Sequence, residues 1–190
     1  ITGSKLIGDN TDMYGIRAVI NDRLPAALHG REIVLLGAGG VARACLAELL
    51  NHAPAKIYIA NRTIARAQRL RDVFAGSHAG CPIEVPALAQ LPQACAHNRP
   101  VLIINATSAP PDRATQIIGN LTNGTDFRGS CFWDLNYGVR AMNPKSLPAE
   151  MEYIDGLYLL AAQAVESFRI WTGRTAEIGR VYQLLQTRVS

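Results

Sequence analysis

The amino-acid sequence predicts an α/β protein, a doubly wound parallel sheet with helices on both faces. Three observations point there. Apolar runs of strand length alternate with stretches of helical periodicity through most of the 190 residues. The run Val101 to Asn105 is continuous in its hydrophobicity, as a strand covered on both faces has to be. Finally, Glu32 to Arg43 reads E-I-V-L-L-G-A-G-G-V-A-R, a buried strand, a tight glycine turn and a helix start. That arrangement belongs to Rossmann-type sheets and cradles the pyrophosphate of a dinucleotide.

The elements follow in order. A polar, glycine-punctuated lead-in ends at Asp9-Asn10-Thr11-Asp12, and Ile16, Val19, Ile20, Leu24 and Leu28 then recur at helical spacing, closed by Pro25 and Gly30. The first strand spans Ile33 to Leu36 and the helix after it Val41 to Leu50. Lys56 to Ala60 is the second strand, with a helix from Ile64 to about Phe74. A turn-rich stretch from Gly76 to Pro86 holds a short strand at Ile83 to Val85. Val101 to Asn105 is followed by a loop carrying Pro110 and Pro111, then by a strand at Cys131 to Leu135 and another at Glu152 to Ile154. Two helices close the chain, Leu157 to about Trp171 and Thr175 to about Thr187. The apolar stripe of the first is read as Leu157, Leu160, Ala164, Phe168 and Trp171. The expected strand order is 3-2-1-4-5-6.

Composition narrows the function. Nineteen basic and 15 acidic residues leave a net charge of +4. So mild an excess, gathered near the glycine turn, does not point to nucleic acid. No apolar run approaches the roughly 20 residues of a membrane span, and no signal peptide is visible. Cys45, Cys81, Cys95 and Cys131 lack metal-ligand spacing and read as reduced, mostly buried thiols of a cytoplasmic protein. No metal site is expected. The chain opens on Ile1 rather than Met and is expected to be part of something longer.

Within G-x-G-x-x-A, Gly37 allows the sharp turn, Gly39 lets a phosphate reach the backbone, and Ala42 keeps the helix close to the strand. Gly40 adds room at the helix start. NAD-specific folds place a carboxylate about 20 residues past this turn, on the ribose 2′-hydroxyl. Here the second strand ends in Asn61-Arg62-Thr63, with Arg66 one turn on and no acid. A guanidinium pairs instead with a 2′-phosphate and stacks on adenine, while Thr63 can both cap the next helix and donate to that phosphate. The expected cofactor is therefore NADP. Taken one at a time, Arg62, Arg66, Arg69 and Arg71 would also suit a solvated helix face.

Six ordered stretches resemble the shikimate dehydrogenase family over nearly the whole chain. They are G-D-N-T-D-x-x-G at Gly8 to Gly15, the glycine turn at Gly37 to Arg43, and N-R-T at Asn61 to Thr63. N-A-T-S follows at Asn105 to Ser108, D-L-x-Y at Asp134 to Tyr137, and D-G-L…Q-A…F…W-x-G at Asp155 to Gly173. The resemblance implies NADP-dependent interconversion of 3-dehydroshikimate and shikimate, in the route to chorismate and the aromatic amino acids. It implies Asp12 as the acidic half of a catalytic pair, Tyr137 lining the substrate site and Gln163 on a substrate hydroxyl. It places Gly37, Ala38, Gly39, Gly40, Val41, Asn61, Arg62, Thr63, Arg66, Asn105, Ala106, Thr107, Ser108, Leu135, Gly156 and Leu159 at the cofactor. Residues 1–14 then lead in from a substrate domain that precedes the chain, 15–155 form the NADP-binding domain, and 156–190 pack back toward that substrate domain. A homodimer is compatible with this arrangement.

From the residues alone, Asp12 reads equally as a helix-capping carboxylate, Gln163 as a surface side chain and Tyr137 as a loop aromatic. The chain also departs from the family. Its catalytic lysine belongs to the preceding domain, and Lys5, Lys56 and Lys145 match no motif. Tyr158 replaces a small residue, and Ala109-Pro110-Pro111-Asp112 replaces a glycine-led loop; both are expected beside the nicotinamide. A dehydrogenase of quinate or another cyclic hydroxy acid, and a non-catalytic NADP-binding module, remain alternatives.

Overall fold

A computed structural model describes residues 8–24, 27–76, 80–95, 101–122 and 128–189. The elements are α1 (Thr11–Asp22), β1 (Glu32–Leu36), α2 (Gly40–Leu50), β2 (Lys56–Ala60), α3 (Ile64–Phe74), β3 (Ile83–Glu84), α4 (Leu91–Ala94), β4 (Val101–Asn105), α5 (Pro111–Thr122), β5 (Cys131–Asp134), β6 (Glu152–Ile154), α6 (Leu157–Thr172) and α7 (Ile178–Val189). The strands form one parallel sheet in the order β3-β2-β1-β4-β5-β6, as the sequence predicts.

Period-two alternation sorts the strand side chains between two helical layers. Ile33, Leu35, Ile57, Ile59, Leu102, Ile104 and Trp133 pack with α1, α2 and α6. Val34, Leu36, Tyr58, Ala60, Ile103 and Phe132 pack with Leu91 of α4 and with Ala114, Ile118 and Leu121 of α5. Register then fixes where function can sit. Leu36 is level with Ala60 on one side and Asn105 on the other, and Asn105 is level with Asp134. Four loops therefore leave the sheet along one edge, on both sides of the point where strand order reverses between β1 and β4. Ligands bind at that crevice in open α/β sheets.

The structure corrects several expectations. The first helix runs Thr11–Asp22, earlier than expected; Arg23 donates to Val19 O at 2.9 Å, and Leu28 rejoins the core beyond the helix. Pro25 lies outside the described residues. The stretch expected as a loop around Pro110 and Pro111 is a helix, α5, which Pro111 starts. A proline at the first helical position donates no N–H that the helix would use, and its φ is already helical. The short helix α4 was not expected either, β5 ends at Asp134, β3 ends at Glu84, and α7 starts at Ile178.

The stripe on α6 is also different. Its buried residues are Leu157, Leu159, Ala161, Ala162 and Val165, while Phe168 and Trp171 are exposed. Helix α6 packs against α1 as well as against the sheet, so its buried side is turned toward α1. Gly15 makes that packing close: a Cβ there would stand 2.9 Å from Leu159 O and 3.3 Å from Gln163 Cβ.

Helices α1 and α2 are tied by an ion pair. Arg17 donates through Nε and Nη2 to the two oxygens of the buried Glu48, at 2.9 and 3.0 Å. The hydrogen bond from Arg17 holds the Glu48 carboxyl below its ordinary range, against the opposing pull of burial. A carboxyl lowered on folding adds stability above its unfolded pKa, about 4.3, and loses it as pH falls through the lower folded value. Arg17→Ala should cost about 1–2 kcal/mol at neutral pH, a charged hydrogen bond discounted for the watery side of Arg17. Urea melts of variant and parent should converge below about pH 3. A gap that stays constant with pH would show the loss to be packing alone.

Candidate active site

The C-terminal edge of the sheet carries a cavity of about 550 Å³. Its floor is the turn Gly37-Ala38-Gly39, one wall is Asn61, Arg62 and Arg66, and the other is Ala106 to Pro110 with Arg113 and Ile117 of α5. Each wall has a local cause. Gly37 has φ +111°, a left-handed conformation that favours glycine, and a Cβ there would lie 2.7 Å from Ala106 O. Its N–H donates to Ala60 O at 2.8 Å, and Ala106 N donates to Leu36 O at 2.8 Å, so the turn is stitched to both neighbouring strands. Gly39 is the N-cap of α2, with no side-chain cap, leaving the first-turn N–H groups open. A Cβ at Gly39 or Gly40 would meet nothing within 4 Å, so the space over the turn is open. Val41 follows in that turn, half-buried.

The arginine wall is held from below. Asn61 Nδ2 donates to Thr63 O at 2.9 Å and fixes the short N-R-T segment. Thr63 is the N-cap of α3, but its hydroxyl makes no cap bond and stays available. Only Ala67 and Leu70 of α3 are buried. Arg62 and Arg66 are exposed on the cavity, whereas Arg71 is spent on Asp72 at 2.8 Å. Arg62 and Arg66 thus face the cavity, whereas Arg71 turns to its neighbour Asp72. Among the described residues no carboxylate lines this cavity.

The opposite wall depends on a buried carboxylate. Asp134 Oδ1 accepts from Asn105 Nδ2 (3.0 Å), Asn136 N (3.0 Å) and Asn136 Nδ2 (2.8 Å), and Oδ2 accepts from Met142 N (2.8 Å). Asn105 Oδ1 in turn accepts from Thr107 Oγ1 at 2.7 Å, and Asn136 Nδ2 reaches Thr107 O at 3.1 Å. Ser108 is exposed on the cavity. Leu135 continues β5, its N–H donating to Asn105 O at 3.0 Å, and Gly156 N donates to Asn136 O at 2.9 Å. Leu159 is nearly buried under α1.

A second group of residues gathers where α1 meets α6. Asn10 caps α1, its Oδ1 accepting from Asp12 N at 3.1 Å. Asp12 is therefore not the cap, and its half-buried carboxylate has no hydrogen-bond partner among the described residues. Thr11 Oγ1 donates to Gln163 Oε1 at 3.4 Å and accepts from Ser167 Oγ at 3.1 Å. Gln163 thus faces α1 half-buried, beside the Asp12 turn. Tyr137 is exposed on the loop after β5 and makes no hydrogen bond to either residue among those described. Cys45 is fully buried, and burial, with a smaller push from Asp12, raises its thiol far above the usual range. It remains a packed thiol.

Two departures from the family pattern find their places. The Tyr158 hydroxyl donates to Asp22 at 2.8 Å, and its ring meets Tyr182 edge-on with Arg23 5.3 Å from both ring centres. It sits at the far end of α1 from Asp12, joining α1, α6 and α7. Pro110 lines the cavity and brings in Arg113 and Ile117, which the sequence reading missed because it missed α5. Thr11, Ser167 and Leu88 were missed as well, although Thr11 and Ser167 lay inside recognised stretches. Lys56 sits at the opposite end of β2, paired with Glu84 at 2.9 Å.

Among the described residues no helix is long and apolar enough to cross a membrane, and no cluster of potential metal ligands occurs. The chain is 36% identical over 184 residues to a shikimate dehydrogenase (NADP(+)) of Thioalkalivibrio sulfidiphilus, covering 95% of this chain and 64% of that one. It is 32% identical over 192 residues to a protein of the same description from Shewanella woodyi, covering all of this chain and 66% of that one. It therefore spans just under two thirds of these relatives. Among solved structures it superposes on a 5-ketofructose reductase of Gluconobacter with a TM-score of 0.73 and 26% identity, over 98% of this chain and 66% of that one. A family model for shikimate/quinate 5-dehydrogenase matches residues 19–123, and one for the shikimate 5′-dehydrogenase C-terminal domain matches 156–186. More than half of the sequence is covered by the first alone, and the chain belongs to the shikimate/quinate 5-dehydrogenase family.

Proposed function

We propose that this chain is the cofactor-binding part of an NADP-dependent oxidoreductase interconverting 3-dehydroshikimate and shikimate, and that it carries one wall of the substrate site. One observation carries the reading: a glycine turn at an uncapped helix start shares a cavity with Asn61, Arg62 and Arg66, and no carboxylate lines it among the described residues. The open α2 N–H groups suit a pyrophosphate. Arg62, Thr63 and Arg66 suit a 2′-phosphate, and the absent acid removes the usual partner of a bare ribose. The names of the relatives support both the cofactor and the substrate.

NADP supplies hydride exchange at the nicotinamide when bound. The chain's own residues hold it and manage the proton. Ala106 to Ser108, Leu135, Gly156 and Leu159 border the β4–β5 end, where the Asp134 network fixes the loops. Asp12, free of the capping duty, is the group that moves a proton to or from the substrate hydroxyl. Gln163 orients a second hydroxyl, with Thr11 and Ser167 fixing its amide. Tyr137 closes the mouth of the site.

Arg62→Ala should weaken NADP(H) binding by more than about tenfold and leave NAD(H) nearly unchanged, since a charge-assisted bond is worth about 1.5–3 kcal/mol. Calorimetric titration with both cofactors decides it, and equal losses would remove Arg62 from the 2′-phosphate.

Gly39→Val should abolish binding of either cofactor while the protein stays folded, because a branched side chain would fill the open space over the turn. Retained affinity in a folded variant would place the pyrophosphate elsewhere.

These 190 residues alone should bind NADP(H) yet give no measurable oxidation of shikimate, because the lysine-bearing wall implied by the family resemblance is not among them. In the full-length protein, Asp12→Asn should lower kcat by about 10²–10⁴ with cofactor affinity intact. Turnover by the chain alone would refute the two-wall site, and an undiminished kcat would leave Asp12 without a role in proton transfer.

A further inference from the structure

Beside the cofactor cavity lies a second one of about 900 Å³, lined by Ala38, Gly39, Gly40, Arg43, Arg66, Arg69 and the C-terminal part of α3. Ala38, Gly39 and Arg66 line both cavities, so the two are continuous around the Arg66 side chain. Arg43 projects from the first turns of α2, whereas Arg66 and Arg69 lie one turn apart on α3. None of the three guanidinium groups has a hydrogen-bond or ion-pair partner among the described residues. Among the described residues Asp72 is the single carboxylate on this cavity's wall, and Arg71 already occupies it at 2.8 Å.

Surface arginines are ordinarily free to choose partners in solvent. Three of them around one concave space, with its described acid Asp72 already taken, raise the local potential and repel one another. An anion between them removes that cost. The open α2 N-terminus at Gly39 and Gly40 adds to the same potential. A phosphate dianion seated on Arg66 presents three oxygens, so it can be held from both cavities at once.

We propose that Arg43 is a specificity-determining residue, gripping the 2′-phosphate of NADP(H) from the α2 side while Arg62 holds it from the other, with Arg69 as a weaker outer cation. This rests on the NADP reading above and extends it to a helix that the Asn61-Arg62-Thr63 segment does not include. The site for the extra phosphate is then a cleft between two helices.

The test is titration of the chain with NADPH, NADH, 2′,5′-ADP and 5′-AMP in the parent, Arg43→Ala, Arg43→Lys and Arg69→Ala. Arg43→Ala should weaken NADPH and 2′,5′-ADP by about tenfold or more, with NADH and 5′-AMP unchanged. Arg43→Lys should recover part of the loss, and Arg69→Ala should lose less than Arg43→Ala. The salt dependence of NADPH binding should also become shallower in Arg43→Ala. Because Arg43 is exposed, its thermal unfolding should match the parent's, which separates binding from folding. Unchanged NADPH affinity, or equal losses for NADPH and NADH, would overturn the role of Arg43 while leaving the NADP reading in place. A parent chain that binds NADPH no better than NADH would overturn the reading itself.

Discussion

The candidate site depends on a carboxylate that never meets water. Asp134 ends β5 with no exposed surface and accepts from four N–H groups. Burying a carboxylate costs several kcal/mol unless donors replace its hydration. Here the donors come from β4, from the segment after β5, and from the backbone at Met142. The requirement to satisfy one buried group therefore fixes three separate pieces of chain. Through Asn105 and Asn136 it also fixes Thr107, and with it the loop that faces the glycine turn. The two loops bordering the cleft are held by the same bonds that stabilise the sheet edge, so little ordering is left to binding.

How far all this was legible in the sequence follows from which constraints are local. The glycine turn is local: Gly37 needs its positive φ, the neighbouring strand is apolar, and the helix starts at once. Strand order followed from the alternation of strands and helices and the doubly wound pattern that such alternation implies. Helix α5 was missed because two prolines were read as a break, although Ala114, Ile117, Ile118 and Leu121 hold helical spacing behind them. Proline stops a helix from within and starts one from its first turn. The α6 stripe went wrong for a different reason. Phe168 and Trp171 are the large apolar residues, yet the buried side is set by small ones, Ala161 and Ala162, where α1 comes close.

Asp12 shows how a structure separates two readings that a sequence leaves equal. A carboxylate in the first turn of a helix is stabilised by the free N–H groups whether or not it does chemistry. The sequence reading weighed only Asp12 for that role. The geometry gives it to Asn10, and Asp12 is left half-buried with no hydrogen-bond partner among the described residues. Tyr158 makes the converse point. A ring in place of a small residue suggested a narrowed nicotinamide site, but the ring is absorbed between α1 and α7.

The joint between α1 and α6 connects these findings. Gly15 lets the helices approach until Leu159 O and Gln163 Cβ stand where any Cβ would press. At one end the contact sets Thr11, Gln163 and Ser167 in a chain of hydrogen bonds beside Asp12; at the other, Tyr158 bonds Asp22. Helix α1 is thus clamped to α6 at both ends, and Arg17 and Glu48 fix it to α2 on a third side. Helix α2 begins at the glycine turn. The group proposed for proton transfer and the turn proposed for the pyrophosphate are therefore joined through two packed helices, α1 and α2. Hydride transfer needs such a link, since rate falls steeply when reacting groups are displaced by even about 1 Å. The apolar stripes hold the layers together, whereas this set of small and polar contacts sets the distance between the glycine turn and Asp12.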